Sequence, residues 1–197
     1  MARSAKGAAK QSRLRIIGGQ WRGRKLTFRP EEGLRPTPDR VRETLFNWLA
    51  PHIRGARCLD LFAGSGALGL EALSRGARCC DFVDTSAAAL AQIGLHLKTL
   101  EAERAGSCIP GPARQFLQNA SAVYDIVFID PPFGKAMVDP SCALLAEHRL
   151  LSAGALIYIE TGATEAEPRP PAVWQLHREK VAGDVSHRRV VAPGQIV

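Results

Sequence analysis

The sequence contains no apolar run approaching the ~20 residues that a membrane-spanning helix needs, so a protein off the membrane is expected. It contains no C-x-x-C pair. Cys58, Cys79, Cys80, Cys108 and Cys142 are odd in number and lie mostly in apolar, strand-like stretches. That argues against a zinc site or a disulfide framework and for a reduced, cytoplasmic protein. His52, His96, His148, His177 and His187 are far apart without ligand spacing, so neither a metal nor a catalytic histidine is expected. The first dozen residues lack the apolar segment of a secretory signal. Beyond that Ala-, Ser- and Lys-rich start there is no low-complexity tract and no internal repeat. Acids are scarce in the front of the chain: residues 1–57 hold four against 14 Lys and Arg, a net of +10, while the remainder nets −3. A basic front end on a slightly acidic body suggests a polyanion-binding arm joined to a separate machine.

What is present suffices for one full domain and an appendage. The chain has 197 residues, 46% hydrophobic and 23% charged, which are ordinary globular values. Residues 1–12 are expected to form a disordered basic tail, residues 13–51 a hairpin-and-helix extension and residues 52–197 the main domain. Within the extension, Gly18-Gly19 between β-branched and aromatic residues predicts a hairpin over residues 14–28. Residues 30–36 read as a loop. Thr37 reads as an N-cap, Pro38 as the first helical position and Asp39 as a first-turn acid. Val41, Leu45, Trp48 and Leu49 then mark the inner face of a helix ending near Pro51.

From Ala56 strands and helices alternate. Strands are expected at residues 57–62, 78–84, 107–109, 124–130 and 155–160, and helices at 67–75, 87–100, 113–119 and 140–148. Two last strands, 174–181 and 185–191, read as an antiparallel pair. This alternation predicts an α/β, doubly wound parallel sheet.

The first strand of that series leads into Leu59-Asp60-Leu61-Phe62-Ala63-Gly64-Ser65-Gly66-Ala67-Leu68-Gly69. Gly64, Gly66 and Gly69 match G-x-G-x-x-G, and Asp84 lies 20 residues beyond Gly64. Both features also suit a nicotinamide dinucleotide, so the glycines alone leave the ligand open. Asp60 shifts the balance. A carboxylate beside a pyrophosphate is repulsive, but beside a sulfonium or ammonium it is favourable. A hydride enzyme would also need a substrate domain, for which too little chain remains. S-adenosylmethionine is the better ligand, with its cationic end near Asp60 and Gly64 and its ribose on Asp84.

The second motif is Asp125-Ile126-Val127-Phe128-Ile129-Asp130-Pro131-Pro132-Phe133. It reads as a strand covered on both faces that stops at an acid, two prolines and a ring. Alone it could be a strand end with a core Phe. In a cleft, the Asp130 carboxylate and the rigid Pro131 carbonyl would accept from an exocyclic amine on a base stacked against Phe133.

Together these motifs resemble an S-adenosylmethionine-dependent amino-methyltransferase. Arg15-Ile16-Ile17-Gly18-Gly19-Gln20-Trp21-Arg22-Gly23-Arg24-Lys25-Leu26 and the segment from Leu34-Arg35-Pro36-Thr37-Pro38-Asp39-Arg40 to Leu49 narrow the match. Over residues 13–191 the chain resembles the RsmD family, which methylates a guanine N2 amine in 16S ribosomal RNA. The resemblance implies a Rossmann-like class I methyltransferase with a seven-stranded, mostly parallel sheet and an N-terminal β-hairpin that helps hold RNA. It also implies that Arg35, Thr37 and Arg40 lie over the cofactor cleft. On this reading Asp130, Pro131 and Phe133 are catalytic. Thr37, Asp60, Phe62, Ala63, Gly64, Gly66, Asp84 and Asp130 hold the cofactor. Arg15, Arg22, Arg24, Lys25, Arg35 and Arg40 hold RNA. The family's usual polar contact to adenine is missing at Ile109-Pro110-Gly111-Pro112-Ala113-Arg114, which leaves the task to Ala113 and Arg114. The partner is ribosomal RNA within the small subunit or its precursor, and a monomer is expected. The competing substrate is adenine in DNA or another RNA.

Overall fold

The computed structural model describes residues 12–28 and 37–193. Most of the expected tail, the loop at residues 30–36 and Arg35 lie outside the described residues. The hairpin is β1 (Ser12–Arg15) and β2 (Lys25–Phe28), followed by α1 (Asp39–Leu49). The alternating body is β3 (Arg57–Asp60), α2 (Ala67–Ser74), β4 (Cys79–Asp84), α3 (Ala87–Thr99), β5 (Gly106–Pro110), α4 (Ala113–Asn119), β6 (Tyr124–Ile129), α5 (Val138–Glu147), β7 (Leu151–Gly162), β8 (Gln175–Ala182) and β9 (Val185–Val191).

The body is one sheet of order β5-β4-β3-β6-β7-β9-β8. Strands β3 to β7 run parallel, and β9 is antiparallel to both its neighbours. Period-2 alternation splits the core in two. Cys58, Phe82, Ile126, Phe128 and Tyr158 face a layer containing α1, α2 and α3. Leu59, Val83, Val127, Ile129 and Ile157 face α4 and α5. No helix among the described residues is long and apolar enough to cross a membrane.

The hairpin forms, but not around the turn its glycines suggested. A loop of residues 16–24 joins the strands, and Gly18-Gly19 docks on the end of α2. The Gln20 amide donates to the Ser74 carbonyl at 2.8 Å, and Ser74 Oγ donates to the Gly18 carbonyl at 2.6 Å. A Cβ on Gly19, whose φ is +77°, would stand 1.9 Å from the Ser74 carbonyl oxygen. The glycine is there for close approach. Leu14, Ile16, Leu26 and Phe28 are buried in the same core as α1, α2 and the sheet.

Helix α1 also differs. Its inner face is Arg42, Leu45, Phe46 and Leu49, while Val41 and Trp48 are half-buried. Arg42 is 1% exposed, donating to the Arg15 carbonyl at 2.8 Å and to Asp39 at 2.6 Å, with Glu71 3.7 Å away. Buried Glu71 also accepts from the Ile17 and Gly18 amides at 2.8 Å each and from Arg75 at 2.8 Å. Burying this carboxylate is tolerable because cations and amides surround it. The cluster ties the hairpin loop to the helix that follows the glycine loop. Pro38, not Thr37, is the N-cap of α1, and no described side chain caps it.

Candidate active site

Strand order reverses between β3 and β6, the kind of position where open α/β sheets bind ligands at their carboxyl ends. The chain leaving β3 stays in register, with the Leu61 amide on the Phe128 carbonyl at 3.1 Å and the Ala63 amide on the Val83 carbonyl at 2.9 Å. It then turns through Gly64 and Gly66, both at positive φ, into α2. Gly69 lets α2 lie close on β4, since a Cβ there would be 2.2 Å from the Phe82 ring. Phe62 is half-buried against the second core, and Ala63 and Gly66 are buried.

Asp60 is 2% exposed and its Oδ2 accepts from the Gly69 amide at 2.9 Å, so one oxygen pins α2. Burial, with Asp84 adding, pushes its carboxyl up to about 7 against the opposing pull of that amide. Asp84 binds both ends of its surroundings. Oδ2 accepts from the Gly64 amide at 2.7 Å and Oδ1 from the Ser86 amide at 2.8 Å. It joins the glycine loop to the end of β4. Ala113 is buried at the start of α4, and Arg114 is exposed beside it.

Asp130 is half-buried just past β6, Pro131 is buried, and Phe133 is 47% exposed. The Phe133 loop is braced by the Gly134 amide donating to Glu165. Thr37 Oγ1 donates to Asp130 Oδ2 at 3.3 Å, bringing the start of α1 onto the end of β6. Burial first, then the charges of Glu160 and Asp60, raise the Asp130 carboxyl well above the ordinary carboxylate range, while the Thr37 hydroxyl opposes them.

Sequence reasoning missed what stands beside Asp130. The register Ile129↔Ile159 puts Glu160 next to it, and Glu160 pairs with His187 on β9. Tyr158 Oη donates to Glu160 Oε2 at 2.8 Å and lies 2.6 Å from His187 Nδ1. The signal was available: β4 and β3 end on Asp84 and Asp60, Asp130 follows β6, and Glu160 lies two residues before the end of β7. Such an edge suits a cationic ligand. The proposed RNA contacts do not all gather here. Arg40 is exposed on the first turn of α1 at this edge. Arg15, Arg22, Arg24 and Lys25 are exposed on the hairpin, and its loop sits at the far end of α2. The length of α2 separates that loop from the glycine turn by roughly 12 Å.

Sheet order, glycine loop and strand-end acids define a class I, S-adenosylmethionine-dependent methyltransferase. The family model described as "Conserved hypothetical protein 95" matches residues 14–190. "Ribosomal RNA small subunit methyltransferase D" of Escherichia coli (strain K12) is 51% identical over 175 residues, spanning 89% of this chain and 88% of that protein. The Haemophilus influenzae protein of that name is 44% identical over 181 residues, spanning 89% and 92%. A solved structure from Escherichia coli superimposes with a TM-score of 0.85 at 46% identity, covering 93% of this chain and 100% of that one. The chain belongs to the RsmD family.

Proposed function

We propose that the protein transfers a methyl group from S-adenosylmethionine to the exocyclic N2 amine of a guanine in 16S ribosomal RNA, acting as a cytoplasmic monomer on the small subunit or its precursor. The relatives' shared name supports the RNA. The observation that carries the chemistry is Asp130, held at the rim of an acidic strand edge beside an exposed Phe133.

The cofactor fits what surrounds its expected place. Asp60 and Asp130 are carboxyls whose ionisation burial opposes, with the charge of Asp84 adding at Asp60 and those of Glu160 and Asp60 at Asp130. A cation brought to that edge would relieve both. Asp60, Phe62, Ala63, Gly64, Gly66 and Asp84 would hold it, with Thr37 closing from above and Ala113 and Arg114 at the adenine end. When bound, it supplies an electrophilic methyl on a sulfonium. The chain's own residues do the rest. Asp130 and the Pro131 carbonyl accept from the two N–H bonds and draw the amine's lone pair out of conjugation with the ring. Phe133 stacks on a base swung out of its RNA context. Positioning and fixed acceptors account for most of the rate. Once the methyl is in place the nitrogen loses a proton, and the raised proton affinity of Asp130 makes it a competent acceptor.

The test is to incubate the protein with labelled S-adenosylmethionine and small ribosomal subunits lacking the mark, then map the label. The methyl is expected on a guanine N2. A methyl on a ring carbon, a ring nitrogen, a ribose oxygen or an adenine amine would overturn the reading.

A further inference from the structure

A cavity of about 320 Å³ lies between α1 and the β8–β9 hairpin. Arg40, Thr44 and Trp48 line one wall, Lys180 and Val181 the other, with Tyr158 and His187 on the sheet. Its size is at the low end of small-molecule sites. It is not the expected cofactor site, which lies across Asp130 at the ends of β3 and β4. Nor does it coincide with the place for the target amine. One row crosses the sheet from Asp130 through Glu160 to His187 and Lys180. Two inter-strand spacings, roughly 10 Å, therefore separate His187 from Asp130.

The lining has the chemistry of a base pocket. Arg40 and Lys180 are exposed cations at its mouth, and Trp48 is a half-buried aromatic on its wall. His187 is 3% exposed and forms part of the cavity floor with Tyr158. Tyr158 Oη donates to Glu160, so the same oxygen is free to accept from His187 Nδ1–H at 2.6 Å.

We propose that this cavity receives the base of an unpaired nucleotide adjacent to the methylated guanine, stacked on Trp48, with its phosphate near Arg40 and Lys180. The proposal rests on the reading of the protein as an RNA methyltransferase working at Asp130. It adds a second point of grip, which fixes the register of the strand and so helps choose which guanine reaches Asp130.

The test is an abasic walk. RNA fragments spanning the methylated guanine carry one abasic nucleotide each, and their affinity is titrated against the parent protein, Thr44→Phe and Val181→Phe. The two variants plug the cavity from opposite walls, and Val181 is exposed enough that its replacement leaves folding alone. At one position beside the target the abasic nucleotide is expected to weaken binding to the parent ~10-fold, the scale of one lost stack. In both plugged variants the same abasic change should cost nothing further, and their affinity for intact RNA should already be reduced. Losses that simply add at every flanking position would overturn the proposal. So would coupling confined to the target position, which would put the guanine itself in the cavity. Absence of methyl transfer to any guanine amine would instead refute the proposed activity, and the binding titration would still judge the cavity.

Discussion

Replacing Asp60 by Asn isolates one buried carboxyl. Its pKa rises from 3.8 to about 7 on folding, chiefly through burial. Three units correspond to on the order of 4 kcal/mol at 1.36 kcal/mol each. For an acid raised in this way the folded chain holds a proton that the unfolded chain has released. Below pH ~4 both states are protonated and the group costs nothing. Stability is lost as pH rises from ~4 to ~7, and above that the full cost is present. Asn carries no charge to bury, and its Oδ1 can still accept from the Gly69 amide. Urea denaturation should therefore give similar stabilities for the parent and Asp60→Asn near pH 4. At pH 8 the variant should be more stable, by on the order of 2–4 kcal/mol, and each kcal/mol moves the melting temperature by about 2–4 °C in a domain of this size. The gain should come at a cost in function. The sulfonium favours the ionised acid, so the parent should bind S-adenosylmethionine more tightly as pH rises from 6 to 8. S-adenosylhomocysteine, whose sulfur is neutral, should show a shallower dependence, and Asp60→Asn should narrow the difference between the two, with Asp130 accounting for what is left. A stability gap independent of pH would refute the assignment of a proton to Asp60. Identical pH profiles for the two ligands would remove Asp60 and Asp130 from the sulfonium's surroundings.

Asp130→Ala should lower turnover ~100-fold or more, as when one preorganised transition-state contact is removed, with Asp130→Asn milder because its amide oxygen still accepts; single-turnover assays with unchanged rates would rule out the acceptor role. Glu71→Gln removes the buried carboxylate shared by Arg42 and Arg75, leaving Arg42 with Asp39 alone, and should cost up to about 3 kcal/mol in denaturation. It should also make residues 16–24 an early protease site, and a variant as protease-resistant as the parent would show that the hairpin is held by its apolar contacts alone. Changing Arg15, Arg22, Arg24 and Lys25 together to Gln should reduce the log–log salt slope of RNA binding by ~0.7–0.9 per lost phosphate contact and leave cofactor affinity unchanged. Deleting the hairpin outright would be a poorer test, because Leu14, Ile16, Leu26 and Phe28 belong to the core.

Much of the architecture was written locally. Strand and helix positions follow from side-chain periods of 2 and 3.6, which need no knowledge of distant residues. Ile126–Ile129 read as a doubly covered strand because its apolar run is continuous, and Asp130 and the glycine loop could be placed at strand ends for the same reason. The motifs of the RsmD family lie within such short windows, so family and cofactor class were legible too. What the tertiary structure decided is which polar groups meet. Gly18-Gly19 looks like a turn, yet its glycines serve contact with Ser74, more than fifty residues away. Thr37 has the composition of a helix cap, yet its hydroxyl goes to Asp130. Arg42 would read as a solvated charge on its own helix, and only folding brings Glu71 and the Arg15 carbonyl to it. The row Asp130, Glu160 and His187 comes from the end of β6 and from β7 and β9, and only the register between those strands sets the three side by side. A side chain's burial can be inferred from its neighbours in sequence. Its partner cannot, because hydrogen bonds and ion pairs act over a few ångströms, and the fold alone sets those distances.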